Sequence, residues 1–114
     1  MGDANYAKML WLQANTVRDH DGADEIQVSR ADGVIFERLR MRPGDVYSFD
    51  DDRLLPFNRS QAPIDIELFE VDETGPDDRR IGAARITAAE LGRGERTQRI
   101  AGAGSVYSLT YKVI

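Results

Sequence analysis

The sequence predicts an all-β protein, an eight-stranded antiparallel β-sandwich formed by a single domain over residues 1–114. Three observations carry that expectation. Apolar residues recur with a period of two along short stretches, turn formers separate those stretches at roughly eight to twelve residues, and no segment of useful length keeps the 3.6-residue period of a helix. A chain of 114 residues is long enough to bury one core and too short for two independent ones.

The elements follow in order. Lys8 to Val17 reads KMLWLQANTV, in which Leu10, Leu12 and Ala14 alternate with Met9, Trp11 and Gln13, so it forms the first strand. DHDGAD, residues 19 to 24, is a cluster of turn formers, and EIQVSR after it sets Ile26 and Val28 against Gln27 and Ser29 as the second. Asp32-Gly33 supplies the positive φ of a tight hairpin, which folds VIFERLR back antiparallel from Val34. Arg42-Pro43-Gly44 makes the next turn, DVYSFD the fourth strand, and DDRLLPFNRSQAP a longer loop whose two prolines argue against continuous pairing. Ile64 to Val71, IDIELFEV, is the clearest strand, with Ile64, Ile66 and Leu68 on one face and Asp65, Glu67 and Phe69 on the other. The acidic loop DETGPDD, a strand RIGAARIT, a helical turn at Ala88–Leu91, a strand at ERTQRI and a final strand VYSLTYKVI complete the chain.

Composition narrows the function classes. There is no cysteine, which removes disulfides, thiolate nucleophiles and zinc-thiolate sites. Twenty acidic against fifteen basic residues give a net charge of -5, which argues against general affinity for a nucleic-acid backbone. Met1-Gly2-Asp3-Ala4-Asn5 lacks the basic start and apolar run of a signal peptide, and no apolar run approaches the ~20 residues of a transmembrane helix, so a cytoplasmic location is favoured over a membrane one. The chain holds one histidine, His20, in an acidic turn, and no nucleophile elbow, phosphate-cradling glycine loop, HExxH helix or dinucleotide fingerprint, so an enzyme is not expected.

IELFEVDETGPDDRRIGAARITAAEL, residues 66 to 91, resembles the core motif of C2 domains, where a strand runs into an acidic loop and re-emerges at an Ile-Gly pair, here Ile81-Gly82. Glu70, Asp72 and Asp78 fall at that family's acidic spacing. LQANTVRDHDGADEIQV, residues 12 to 28, is similar to the family's first loop. The two segments cover somewhat over a third of the chain. Glu70 stands where the family more often has Asp, the gap from Asp78 to Gly82 is one residue longer than usual, and Glu25 replaces the proline that usually follows the position of Asp24. The resemblance implies calcium held between two acidic loops, with Asp19, Asp24, Asp72 and Asp78 as direct ligands and Asp21 and Glu70 as further candidates. Calcium takes six to eight oxygen ligands, and clustered acids repel one another unless a cation lies between them. The same aspartates also suit plain turns, since Asp caps its own backbone while its charge stays solvated.

Other groups remain open to two readings. Arg38, Arg40 and Arg42 share one strand face, as a cationic stripe for anionic head groups or as a solvated face paired with acids. Trp11 either covers a second apolar layer or marks a contact surface, and Leu54-Leu55-Pro56-Phe57 either forms a docking tip or anchors its loop. Asp50-Asp51-Asp52 reads as a solvated loop. The expected function is therefore a calcium-binding module that presents a surface to a protein partner or an anionic membrane. The alternatives are a metal-free interaction module or subunit of a larger assembly, and a glycan-binding sandwich.

Overall fold

Side chains that alternate in the sequence alternate in burial along the strands, and the two faces so defined build two sheets around one core. The computed structural model describes residues 2–17, 22–50, 53–71 and 79–114. Its strands are β1 (Tyr6–Thr16), β2 (Asp24–Arg30), β3 (Ile35–Met41), β4 (Val46–Ser48), β5 (Leu54–Pro56), β6 (Ile64–Glu70), β7 (Arg79–Ile86), β8 (Arg96–Gly102) and β9 (Ser105–Val113), with one 3-10 turn at Ala88–Glu90. Every strand pair is antiparallel. One sheet has the order β4-β1-β9-β8, with β5 also pairing β1, and the other has the order β3-β2-β6-β7. The fold is thus the expected all-β sandwich.

The inner faces supply the core. Met9, Leu12 and Ala14 of β1 and Tyr107, Leu109 and Tyr111 of β9 lie against Ile26 and Val28 of β2 and Ile64, Ile66 and Leu68 of β6, all buried. Truncating one of these, Leu12 for instance, costs about 2–5 kcal/mol because the packed surroundings close the cavity only partly.

Two expectations are corrected. The described residues hold nine strands instead of eight, because the long loop contains β5: Leu54 pairs with Lys8, Leu55 with Ala7 and Pro56 with Tyr6. Pro56 is tolerated because β5 is a short edge strand. Leu55 and Phe57 are buried in the core, so the apolar cluster anchors its loop. The alternation in β1 also breaks. A register shift between Met9 and Trp11 opposite β9 inserts an extra residue, so Met9 and Leu12 point inward while Leu10 and Trp11 between them are half-buried on the outer face.

The sandwich closes differently along its two sides. Where β7 meets β8 the sheets approach closely: a Cβ on Gly82 would lie 3.1 Å from Ile100 Cγ2, and one on Gly102 would overlap the Ile81 carbonyl oxygen. The Gln98 side chain spans this seam like a peptide group, accepting from Arg85 N (3.2 Å) and donating from Nε2 to Arg85 O (2.6 Å). Gln61 does the same for the N-terminal segment, accepting from Ala4 N (2.8 Å) and donating to Ala4 O (3.0 Å). On the opposite side, Phe49 meets Phe36 of β3 at 6.1 Å and Tyr47 of β4 at 5.3 Å between ring centroids, and Glu37 accepts from Tyr47 Oη (3.1 Å) and Arg53 Nη2 (2.5 Å).

Candidate functional site

The strand ends decide which loops can act together. β1 ends at Thr16 and β2 begins at Asp24, while β6 ends at Glu70 and β7 begins at Arg79. β2 and β6 are neighbours, with Ile26 opposite Glu70, and Val71 N donates to Glu25 O at 2.8 Å just beyond the ladder. Glu70 is in turn opposite Arg79, and Thr16 is opposite Val106 in the other sheet. The connections between β1 and β2 and between β6 and β7 therefore spring from the same end of the sandwich. Asp19, Asp21, Asp72 and Asp78 lie outside the described residues, as do His20, Asp51 and Asp52.

Asp24 and Glu70 are described, and both face inward at this end. Asp24 has the parity of Ile26 and Val28, which places it on the core face of β2, and it is fully buried. A lone carboxylate there would cost several kcal/mol in desolvation. It is instead met across the gap between sheets by two hydroxyls of β9: Ser105 Oγ donates to Asp24 Oδ2 at 2.8 Å and Tyr107 Oη donates to the same oxygen at 2.7 Å. Burial pushes the Tyr107 phenol well above its ordinary range, and the bond to Asp24 and the negative charges of Asp24 and Glu70 push it further in the same direction. Asp24 thus ties the exit of the first acidic connection to the opposite sheet.

Whether these residues suit a metal can be judged from their chemistry. Two inward carboxylates at a loop end are hard oxygen donors, the type calcium takes. Among the described residues no group of three or more His, Cys, Asp or Glu side chains converges on one point, and the other acids of the two connections lie outside those residues.

Two hydroxyls, Ser105 and Tyr107, were not singled out in the sequence. The available signal was a hydroxyl at each of the first two inward positions of SVYSLTYKV, Ser105 and Tyr107. A second polar cluster sits at the far end, where Glu90 accepts from Thr87 N (2.7 Å) and Tyr111 Oη (2.6 Å) and pairs with Arg96 (3.2 Å). Burial and the bond to Glu90 push the Tyr111 phenol up to about 12.

Within the arginine stripe, Arg40 is the residue met by an acid. Arg40 pairs with Glu25 at 2.9 Å and Arg38 donates to Gln27 Oε1 at 3.4 Å, while Arg42 lies beyond the end of β3. Glu25, Arg38, Arg40 and Val71 border a hollow of about 220 Å³ on that sheet. Among the described residues no helix is long and apolar enough to cross a membrane. No protein-family model matches the chain, and no curated protein matches it either, so kinship with C2 domains stands as a resemblance carried by residues 12–28 and 66–91.

Proposed function

We propose that this chain is a C2-type binding module that holds calcium at the loop end of its sandwich and does no covalent chemistry. The observation that supports it is the common origin of the two acidic connections, joined at their bases by the β2–β6 ladder, with Asp24 and Glu70 facing inward between them. On this reading Asp19, Asp21, Asp72, Asp78 and Glu70 supply the oxygens. Asp24, already engaged by two hydroxyls of β9, fixes where the first connection ends. Bound metal cancels the repulsion among the acids and turns an anionic rim into one that can meet an anionic membrane or a protein partner.

Thermal unfolding in excess EGTA, then across a calcium titration with magnesium as control, tests this. Ligand that binds only the folded state stabilises by about 2.7 kcal/mol at a hundredfold excess over Kd, a shift of several degrees for a domain of this size. A saturable, calcium-selective rise that disappears in Asp72→Asn with Asp78→Asn is the expected result. No shift at millimolar calcium refutes the metal site.

One observation favours a metal-free interaction module instead. The buried Asp24 carboxylate is stabilised by protein hydroxyls, so this part of the loop end holds together without a cation. A calcium-indifferent protein with full stability in EGTA supports that reading.

A further inference from the structure

The two sheets differ in charge. None of the chain's 20 acidic residues lies in a strand of the β4-β1-β9-β8 sheet or in β5, whereas four cations do: Lys8, Arg96, Arg99 and Lys112. Arg96 is paired with Glu90, but Lys8, Arg99 and Lys112 make no ion pair among the described residues. Lys8 and Lys112 are also direct cross-strand partners on β1 and β9, both half-buried. Like charges set opposite one another destabilise a ladder, and no acid in this sheet relieves them. A chain of net charge -5 therefore carries one sheet face with unbalanced positive charge.

Trp11 lies in the middle of that face. The β-bulge that breaks the alternation of β1 turns it outward, and its partners are Ser48 on β4 and Thr110 on β9. On one side lies the Lys8–Lys112 pair. On the other is a row that crosses three strands, Gln13, Ser108 and Arg99. Both rows fall within about 10 Å of the indole along the strands. An aromatic ring flanked by cations and by neutral hydroxyl and amide groups, on the open face of a sheet, suits a ligand that presents a ring face, is rich in hydroxyls and is negatively charged.

We propose that the outer face of this sheet binds an acidic polysaccharide. The indole of Trp11 stacks on the apolar face of a pyranose ring, as aromatic faces accept C–H groups. Lys8 and Lys112 share a carboxylate or sulfate on one side, Arg99 takes the next charged group, and Gln13 and Ser108 serve ring hydroxyls. The anion removes the Lys8–Lys112 repulsion that the fold itself leaves in place. This face is set by β1, β8 and β9 and does not use the acidic loops, so the proposal is independent of calcium.

Trp11 is the chain's only tryptophan, so its emission reports on the face directly. The protein in EGTA is titrated with polygalacturonate, dextran sulfate, neutral dextran and phosphatidylserine vesicles. The expected result is a saturable emission change with an acidic polysaccharide and none with dextran, the stronger of the two acidic probes telling carboxylate from sulfate recognition. Lys8→Gln with Lys112→Gln should weaken binding at least tenfold, and Asp72→Asn with Asp78→Asn should leave it unchanged. By affinity electrophoresis, Trp11→Ala should lose retardation and Trp11→Phe should keep it. No emission change with either acidic polysaccharide, undiminished binding by the lysine double variant, or a response to vesicles alone would overturn the assignment.

Discussion

The two sheets solve the problem of surface charge in opposite ways. In the β3-β2-β6-β7 sheet, the outward acids of the central strands are each met by an arginine from an edge strand: Glu25 by Arg40 at 2.9 Å, Glu67 by Arg80 at 3.0 Å and Asp65 by Arg85 at 2.9 Å. Its outer face is largely paired, with Arg38 on the neutral Gln27 amide as the exception. The other sheet has the hydroxyl pair of Thr97 with Thr110, 2.8 Å apart, and no acid in its strands, so that among the described residues Arg96 alone of its four cations is paired, with Glu90 outside them. Both sheets fold within one sandwich, so surface ion pairs are not what holds either together. That agrees with the small worth of exposed pairs and leaves burial as the main stabilising term. The unbalanced face is then the one whose charges are available to a partner.

Among the polar contacts the largest effect should come from cutting the tether between the sheets. Asp24→Ala leaves the Ser105 and Tyr107 hydroxyls buried without their acceptor, and a loss of about 3 kcal/mol is expected as a lower urea midpoint at unchanged m-value. If the loss is below about 1 kcal/mol, the cross-sheet bonds do not link the two halves energetically.

Alkaline pH should loosen the same layer from the other end. The folded Tyr111 pKa of about 12 exceeds its ordinary value of 10.0, so its contribution is complete below pH 10 and is lost as pH climbs through 12. That window is worth about 2 kcal/mol. Denaturation midpoints measured from pH 9 upward should fall more gently in Tyr111→Phe than in the parent chain. An identical slope would show that Tyr111 does not carry the loss.

Smaller changes sharpen the contrast in charge. Lys112→Glu converts the Lys8–Lys112 clash into an opposite-charge pair and should stabilise by about 0.5 kcal/mol at low salt, the gain shrinking as salt is added. Arg85→Ala removes an exposed pair with Asp65 and should barely move the midpoint. Destabilisation by Lys112→Glu would mean that the lysine pair is already compensated.

The strand rhythm was legible because alternation is a local property. The hairpin at Asp32-Gly33 formed as its residues require, with Gly33 at φ 98 and Val34 N donating to Asp32 Oδ1 at 3.2 Å. What stayed hidden depends on distant partners. The bulge that turns Leu10 outward is set by the register against β9, and nothing within KMLWLQANTV reports it. Likewise Arg38 and Arg40 do share a face, but Glu25 was needed to see that Arg40 is paired. The candidate site divides in the same way. The inward side of Asp24 follows from its parity with Ile26, whereas its hydroxyl partners stand 81 and 83 residues further along the chain.

That separation also bears on how the chain is assembled. The β3-β2-β6-β7 sheet draws on residues 24–86, but the ladder between β1 and β9 joins Ala7 to Val113. Contacts that span nearly the whole chain carry the largest loop-closure cost and slow folding. During synthesis the β3-β2-β6-β7 sheet can pair while β1 has only its short partners β4 and β5. Its apolar face, with Ile26, Val28, Ile66 and Leu68, lacks the cover of Tyr107, Leu109 and Tyr111 until the last strand emerges. Slowing translation before β9 should therefore raise aggregation more than slowing it within β2–β6.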